Sequence, residues 1–188
     1  MGANRVKGWL FGEYVRMIRQ RKDVDWSGVL SDDDLGIVRQ RIANADWYPM
    51  DVFERLGNAI LSQLPGDKLR AVRLWGGMSV DDLLQFHPNL VVRTDPVESL
   101  MRFRVLRSTF FDFEAIQIPM LVHDAAHIVI AYGMGAIAEE AAAHQTMGFF
   151  ERVVALSGGR DVRAAFVERS WAGDTRTLLE LGWTSPKT

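Results

Sequence analysis

The spacing of apolar residues changes period at about residue 114, and that change limits the folds open to this chain. Before it, apolar side chains recur every three or four positions. Leu10, Tyr14, Met17 and Ile18 predict a helix over 9–21. Ser31 with Asp34 forms a weak capping box ahead of Leu35, Val38 and Ile42. Pro49 suits the first position of a helix carrying Phe53, Leu56, Ile60 and Leu64, which Pro65-Gly66 stops. Two further helices are expected over 67–77 and 79–86, the second ended by His87-Pro88. Asp95-Pro96-Val97-Glu98 is the clearest start signal, with an acidic cap, proline at the first position and glutamate at the third. The helix it opens carries a stripe of Phe103, Leu106, Phe110 and Phe113.

After the change, 115–122 and 127–132 are short runs rich in β-branched residues on either side of His123-Asp124, a hairpin pattern. An alanine-rich helix follows over 135–156, closed by Gly158-Gly159. Residues 161–171 and 175–183 then alternate about Ala172-Gly173-Asp174 as a second hairpin. The expected fold is therefore α+β: N-terminal helices packed with a mainly antiparallel sheet of two hairpins separated by a long helix. No linker or repeat divides the 188 residues, so one domain over 1–188 is expected.

A net charge of −2 gives no global attraction to nucleic acid. Arg16, Arg19, Arg21 and Lys22 cluster, but Asp23 and Asp25 follow at once, as on a solvated helix end. The absence of cysteine excludes disulfides, thiolate nucleophiles and thiolate metal sites. The most apolar stretch, 128–138, is too short to span a bilayer, and no signal peptide is legible, so a cytoplasmic protein without membrane insertion is expected. No G-x-S-x-G, H-E-x-x-H or Walker A pattern occurs, and no catalytic residue is assigned.

Several stretches, taken in order, resemble the superfamily of heme-NO-binding (H-NOX) and 4-vinyl-reductase-like domains. Val6-Lys7-Gly8-Trp9-Leu10-Phe11 resembles the Lys-Gly-x-x-Phe opening of H-NOX domains, and Trp47-Tyr48-Pro49 their Tyr-Pro before a core helix. Asp95-Pro96 resembles the start of their proximal helix. Met147-Gly148-Phe149-Phe150-Glu151, Gly158-Gly159 and Trp171-Ala172-Gly173-Asp174 resemble the C-terminal signature shared with the 4-vinyl-reductase type. In the family, a histidine on the proximal helix ligates the heme iron and a Tyr-x-Ser-x-Arg motif holds the propionates. The resemblance puts the histidine position at Arg107 or Ser108, and no histidine lies between Asp95 and Asp112. Tyr132 matches the tyrosine, but Met134 and Ala136 stand at the serine and arginine positions, removing the anion clamp. Thr175–Thr177 stand where metal-binding relatives carry cysteines near the final hairpin. What the resemblance implies is the fold without heme, hence no cofactor.

A fold built around a large cofactor must fill that volume with side chains or keep it for another ligand. The residues that would line or fill it are Phe103, Leu106, Phe110, Phe113, Tyr132, Met134 and Phe150, with Phe111 and Phe149 beside them. Gly133-Met134-Gly135-Ala136-Ile137-Ala138 fits G-x-G-x-x-A, which would suit a nucleotide-binding reductase, although the preceding strand belongs to a hairpin. His123 and His127 flank a turn, and one or the other would be the non-standard ligand of a heme-based gas sensor, the other alternative. His144 and Glu140 read as an exposed i, i+4 pair, Asp32-Asp33-Asp34 and Glu139-Glu140 as acids at helix starts. Trp9, Trp26, Trp47 and Trp75 offer either an exposed patch or buried anchors. The expected function is non-enzymatic: a regulatory or sensory domain, homodimeric, that binds a protein partner or an apolar small molecule.

Overall fold

The structure, a computed structural model, describes residues 4–185. They form two compact units. The first takes the described part of 1–66 together with Ser108–Phe113. In it β1 (Arg5–Lys7) pairs antiparallel with β2 (Trp47–Pro49), Val6 opposite Tyr48. The sequence reading held no sign of this ribbon, because three residues are too few for an alternating pattern.

Helices α1 (Gly8–Gln20) and α3 (Met50–Ser62) pack on it, and α2 (Asp32–Arg39) packs on α1. The apolar stripes meet as aromatic stacks, Phe11 on Tyr48 at 4.5 Å and Tyr14 on Phe53 at 4.1 Å. Gly8 lets α1 start against the backbone: a Cβ there would lie 2.0 Å from the Ala43 carbonyl oxygen. Pro49 precedes α3 as its cap rather than opening it, because β2 continues through Pro49. Ser31 caps α2 as expected, and Asp34 accepts a forked pair of bonds from Arg55 at 2.9–3.1 Å. That guanidinium holds the buried Asp34 carboxyl below its usual range. The basic cluster is used locally: Arg19 donates to the Val38 and Gln40 carbonyls, and Arg21 pairs with Asp23.

The stripe expected on one helix through Phe113 is cut short. Helix α5 (Pro96–Leu106) ends in a 3-10 turn, Arg107–Thr109. Beyond it the backbone pairs in the first unit instead: Lys7 N–H donates to Phe110 at 2.8 Å and Asp112 N–H to Arg5 at 3.2 Å. Tertiary hydrogen bonds replace helical ones, so Phe110 and Phe113 leave the α5 stripe.

The second unit holds 67–107 and 114–185 of the described residues. Its sheet is antiparallel throughout, in the order β3-β4-β6-β5. The strands are β3 (Ile116–Val122), β4 (Ala125–Ile130), β5 (Arg160–Glu168) and β6 (Thr177–Thr184). Helix α6 (Ala136–Leu156) joins the two hairpins, as the sequence predicts. Ile128, Ile130, Leu179 and Leu181 of the sheet and Leu100, Phe103 and Phe150 of the helices are all but fully buried. Burial of each such side chain contributes about 1.5–3 kcal/mol.

Where two helices were expected, α4 (Lys68–Phe86) is one. Gly76-Gly77 does not break it, because Gly76 serves the α6 crossing. A Cβ on Gly76 would lie 1.8 Å from the Gln145 carbonyl oxygen, and one on Gly148 would lie 1.8 Å from that of Arg73. Asp95 caps α5 through Glu98 N–H at 2.9 Å, with Pro96 at the first position. The buried hydroxyls of Ser99 and Ser157, 2.7 Å apart, tie the start of α5 to the end of α6.

Candidate functional site

The stretch from the end of β4 into α6 carries both the positions where the resemblance would put an anion clamp and the glycine-rich pattern. Gly133 takes a φ of +73°, which turns the chain into α6. Glu139, only 5% exposed, fills the turn with its carboxylate. One oxygen accepts the Tyr132 N–H and the other the Met134 N–H, each at 3.0 Å. The Tyr132 hydroxyl lies 2.6 Å from the Thr146 hydroxyl. Thr146 itself donates to the Ala142 carbonyl, so the tyrosine proton goes to Thr146. Glu139 was read as a helix-start acid; it is a buried acceptor. The signal available was its place one turn after a glycine loop that needs its amides satisfied.

This arrangement counts against the nucleotide reading of the same stretch. A pyrophosphate brought to these amides would meet a buried carboxylate already bonded to them, and the sheet around it contains no parallel βα unit among the described residues.

The cavity candidates are distributed over both units. Phe103 and Phe150 are 1% and 0% exposed and pack edge-on at 4.9 Å, with Phe149 completing a three-ring cluster at 5.3 and 5.4 Å. Tyr132 is buried against Thr146, and Met134 is half-buried in the turn. Phe110 and Phe113 belong to the first unit, Phe110 beside Trp9 at 5.2 Å and Phe113 beside Phe111 at 5.6 Å. Leu106 lines a surface hollow instead.

At the position that the resemblance gives to an iron ligand, Arg107 donates to the Ile116 carbonyl at 2.8 Å, and Arg104 donates to the Ile118 carbonyl at 2.6 Å. Both guanidiniums thereby cover the open edge of β3, and Pro119 lies on the same edge beside a register shift. His123 sits exposed at the hairpin turn, and His127 lies opposite Glu180 at 3.4 Å. His144 is not the exposed partner of Glu140: it is half-buried against Phe166 and Trp171, at 5.1 and 6.3 Å. Burial holds its pKa below the ordinary 6.5. Among the described residues no three carboxylates and histidines gather to hold a metal, and no helix is long and apolar enough to cross a membrane.

The tryptophans are anchors. Trp26 Nε1 donates to the Arg21 carbonyl at 3.1 Å, Trp47 lies under the Lys7 ammonium at 4.4 Å, and all four are half-buried. The exposed apolar side chains are others: Leu74 and Met78 on α4, and Phe86 (72%) with Val105 (79%). Phe86 and Val105 flank a hollow of about 640 Å³ between the end of α4 and α5. A second hollow, about 820 Å³, runs along α4 and α6 over Gly77 and Gly148, with the Arg73–Glu151 pair in its wall. Sequence reasoning missed both, because Phe86 beside a helix stop and Val105 beside an apolar stripe look like core residues.

No family model matches the sequence, and no curated protein does. Solved structures of H-NOX domains match over nearly the whole chain. An oxygen-binding H-NOX domain related to soluble guanylate cyclases, solved as its oxygen complex, is 15% identical with a TM-score of 0.61, 96% of each chain being covered. The H-NOX protein of K. algicida, in its Fe(II) unliganded form, is 10% identical with a TM-score of 0.63, over 97% of this chain and 98% of that one. A variant of the T. Tengcongensis H-NOX is 14% identical with a TM-score of 0.61, over 97% of this chain and all of that one. This chain has an H-NOX-like fold.

Proposed function

We propose that the chain is a non-enzymatic regulatory or sensory binding domain that works without heme and recognises a protein partner or an apolar small molecule. The observation that carries this reading is the Glu139 carboxylate on the Tyr132 and Met134 amides. A porphyrin propionate brought to this turn would find the amides already taken by the buried Glu139 carboxyl, with no serine or arginine side chain to receive it, since Met134 and Ala136 stand there. The iron side agrees: the Arg107 guanidinium is committed to the β3 edge, and no imidazole stands on α5 or the turn after it. The residues present do not fit a heme.

Binding would act by population shift, a ligand or partner favouring one packing of α4, α5 and α6 on the four-stranded sheet. The domain is 1–188 as a whole, because the first unit takes Ser108–Phe113 from the middle of the second and neither can be cut out as one segment. A homodimer in the cytoplasm is the setting we propose.

Protein purified from cells fed a heme precursor, then titrated with hemin, tests this reading. The expected result is no Soret band beyond that of free hemin, and native mass spectrometry of the same sample should report a dimer. A stoichiometric, saturable Soret band would overturn it.

A further inference from the structure

We infer that the hollow between the end of α4 and α5 binds an amphipathic carboxylate, an apolar chain or ring carrying one anionic head. The inference rests on reading the chain as a binding domain, and it names the ligand class and the place. The hollow's volume of about 640 Å³ lies within the ~300–1,000 Å³ usual for ligand sites. Its walls are apolar: Phe86, Pro88, Leu90, Val105 and Leu106. Phe86 and Val105 are among the most exposed large apolar residues described, and Met101, one turn before Val105 on α5, is also exposed. Covering them is favoured by the hydrophobic effect, and a contiguous exposed patch of this kind marks a binding surface.

Charge chooses the head group. Arg102 is the one Asp, Glu, Lys or Arg residue in the lining, and the Glu98 carboxylate that pairs with it stands outside that lining. Its guanidinium is held in place: Nε donates to Glu98 and Nη1 to the Asn89 carbonyl. A guanidinium fixed in this way loses little freedom on taking an anion through its remaining nitrogen. His87, also in the lining, adds a ring nitrogen. An apolar wall with one guanidinium, positioned by Glu98 and the Asn89 carbonyl, complements an apolar body with a carboxylate. The hollow along α4 and α6 differs in carrying two acids, Asp67 and Glu151, in its own lining, where they would repel such a head.

The test titrates decanoate, decanol and decyltrimethylammonium, each below its micelle concentration, into the full-length protein and follows backbone amide shifts by NMR. Decanoate should shift residues 86–90 and 101–106, and bind about tenfold more tightly than the cation. Arg102→Gln should weaken decanoate by about tenfold and erase its advantage over decanol. Val105→Asp, at an exposed position, should abolish decanoate binding with an unchanged melting temperature. Decanoate shifts that are absent or centred elsewhere, or equal binding of all three probes, would overturn the assignment. Those results leave the heme-free reading standing, whereas a Soret band removes that reading whatever decanoate does.

Discussion

His144 and Glu139 show how a single residue's environment, rather than its type, sets its part in the molecule. His144 is neutral by preference: burial lowers its pKa, Arg73 lowers it further, and Glu140 and Asp67 only partly oppose this. In the unfolded chain the same imidazole takes a proton near 6.5. Below that pH the unfolded state binds more protons than the folded one, so stability falls as pH drops through 6.5 and levels off below the folded value. Urea unfolding of the protein and of His144→Gln across this range should therefore diverge, with the variant losing less stability on acidification. Glu139 presents a different case, a buried carboxyl that serves as acceptor for two backbone amides. Glu139→Ala orphans both donors and should cost about 2–4 kcal/mol in chemical denaturation. Glu139→Gln, which keeps one strong acceptor, should cost less.

Elements meet here through positions whose worth is invisible within the element itself. Gly76 and Gly148 are costly inside helices on propensity alone, yet each allows the backbones of α4 and α6 to touch. Gly76→Ala or Gly148→Ala must push the helices apart, and a loss of about 3 kcal/mol or more is expected for either. Gly36 in α2 is the contrast. An added Cβ there meets nothing within 4 Å, so Gly36→Ala should raise stability by about 0.5–1 kcal/mol. Thermal unfolding of the three variants separates the two roles. Sheet edges carry a similar lesson, since Arg104 and Arg107 belong to α5 and its following turn but act on β3. Replacing both by alanine leaves the Ile116 and Ile118 carbonyls to water or to another chain, and should show as concentration-dependent association in sedimentation.

At the scale of the molecule, the chain passes from the first unit to the second and back before finishing in the second. Phe110 and Phe111 are buried in the first unit though they follow α5 directly in sequence. A fragment starting at Asp67 should expose them and bind more of a hydrophobic dye than the full chain does, which fluorescence checks. What the sequence settled unaided was whatever depends on neighbours along the chain. The Asp95-Pro96 start of α5, the Ser31 cap, both hairpins, the long α6 and the α+β class all follow from local periodicity, capping and turn chemistry. That no histidine stands between Asp95 and Asp112 and that Met134 and Ala136 follow Tyr132 was legible too, although only the resemblance to H-NOX motifs gives those positions a meaning. Only the tertiary structure decided that α4 runs unbroken past Gly76, that α5 stops at Leu106, and that the Glu139 carboxyl bonds the amides of the Tyr132 turn. It also decided that Phe86 and Val105 face outward around Arg102. Each of these turns on contacts between residues far apart in sequence or on burial, and neither leaves a periodic trace that local pattern can report.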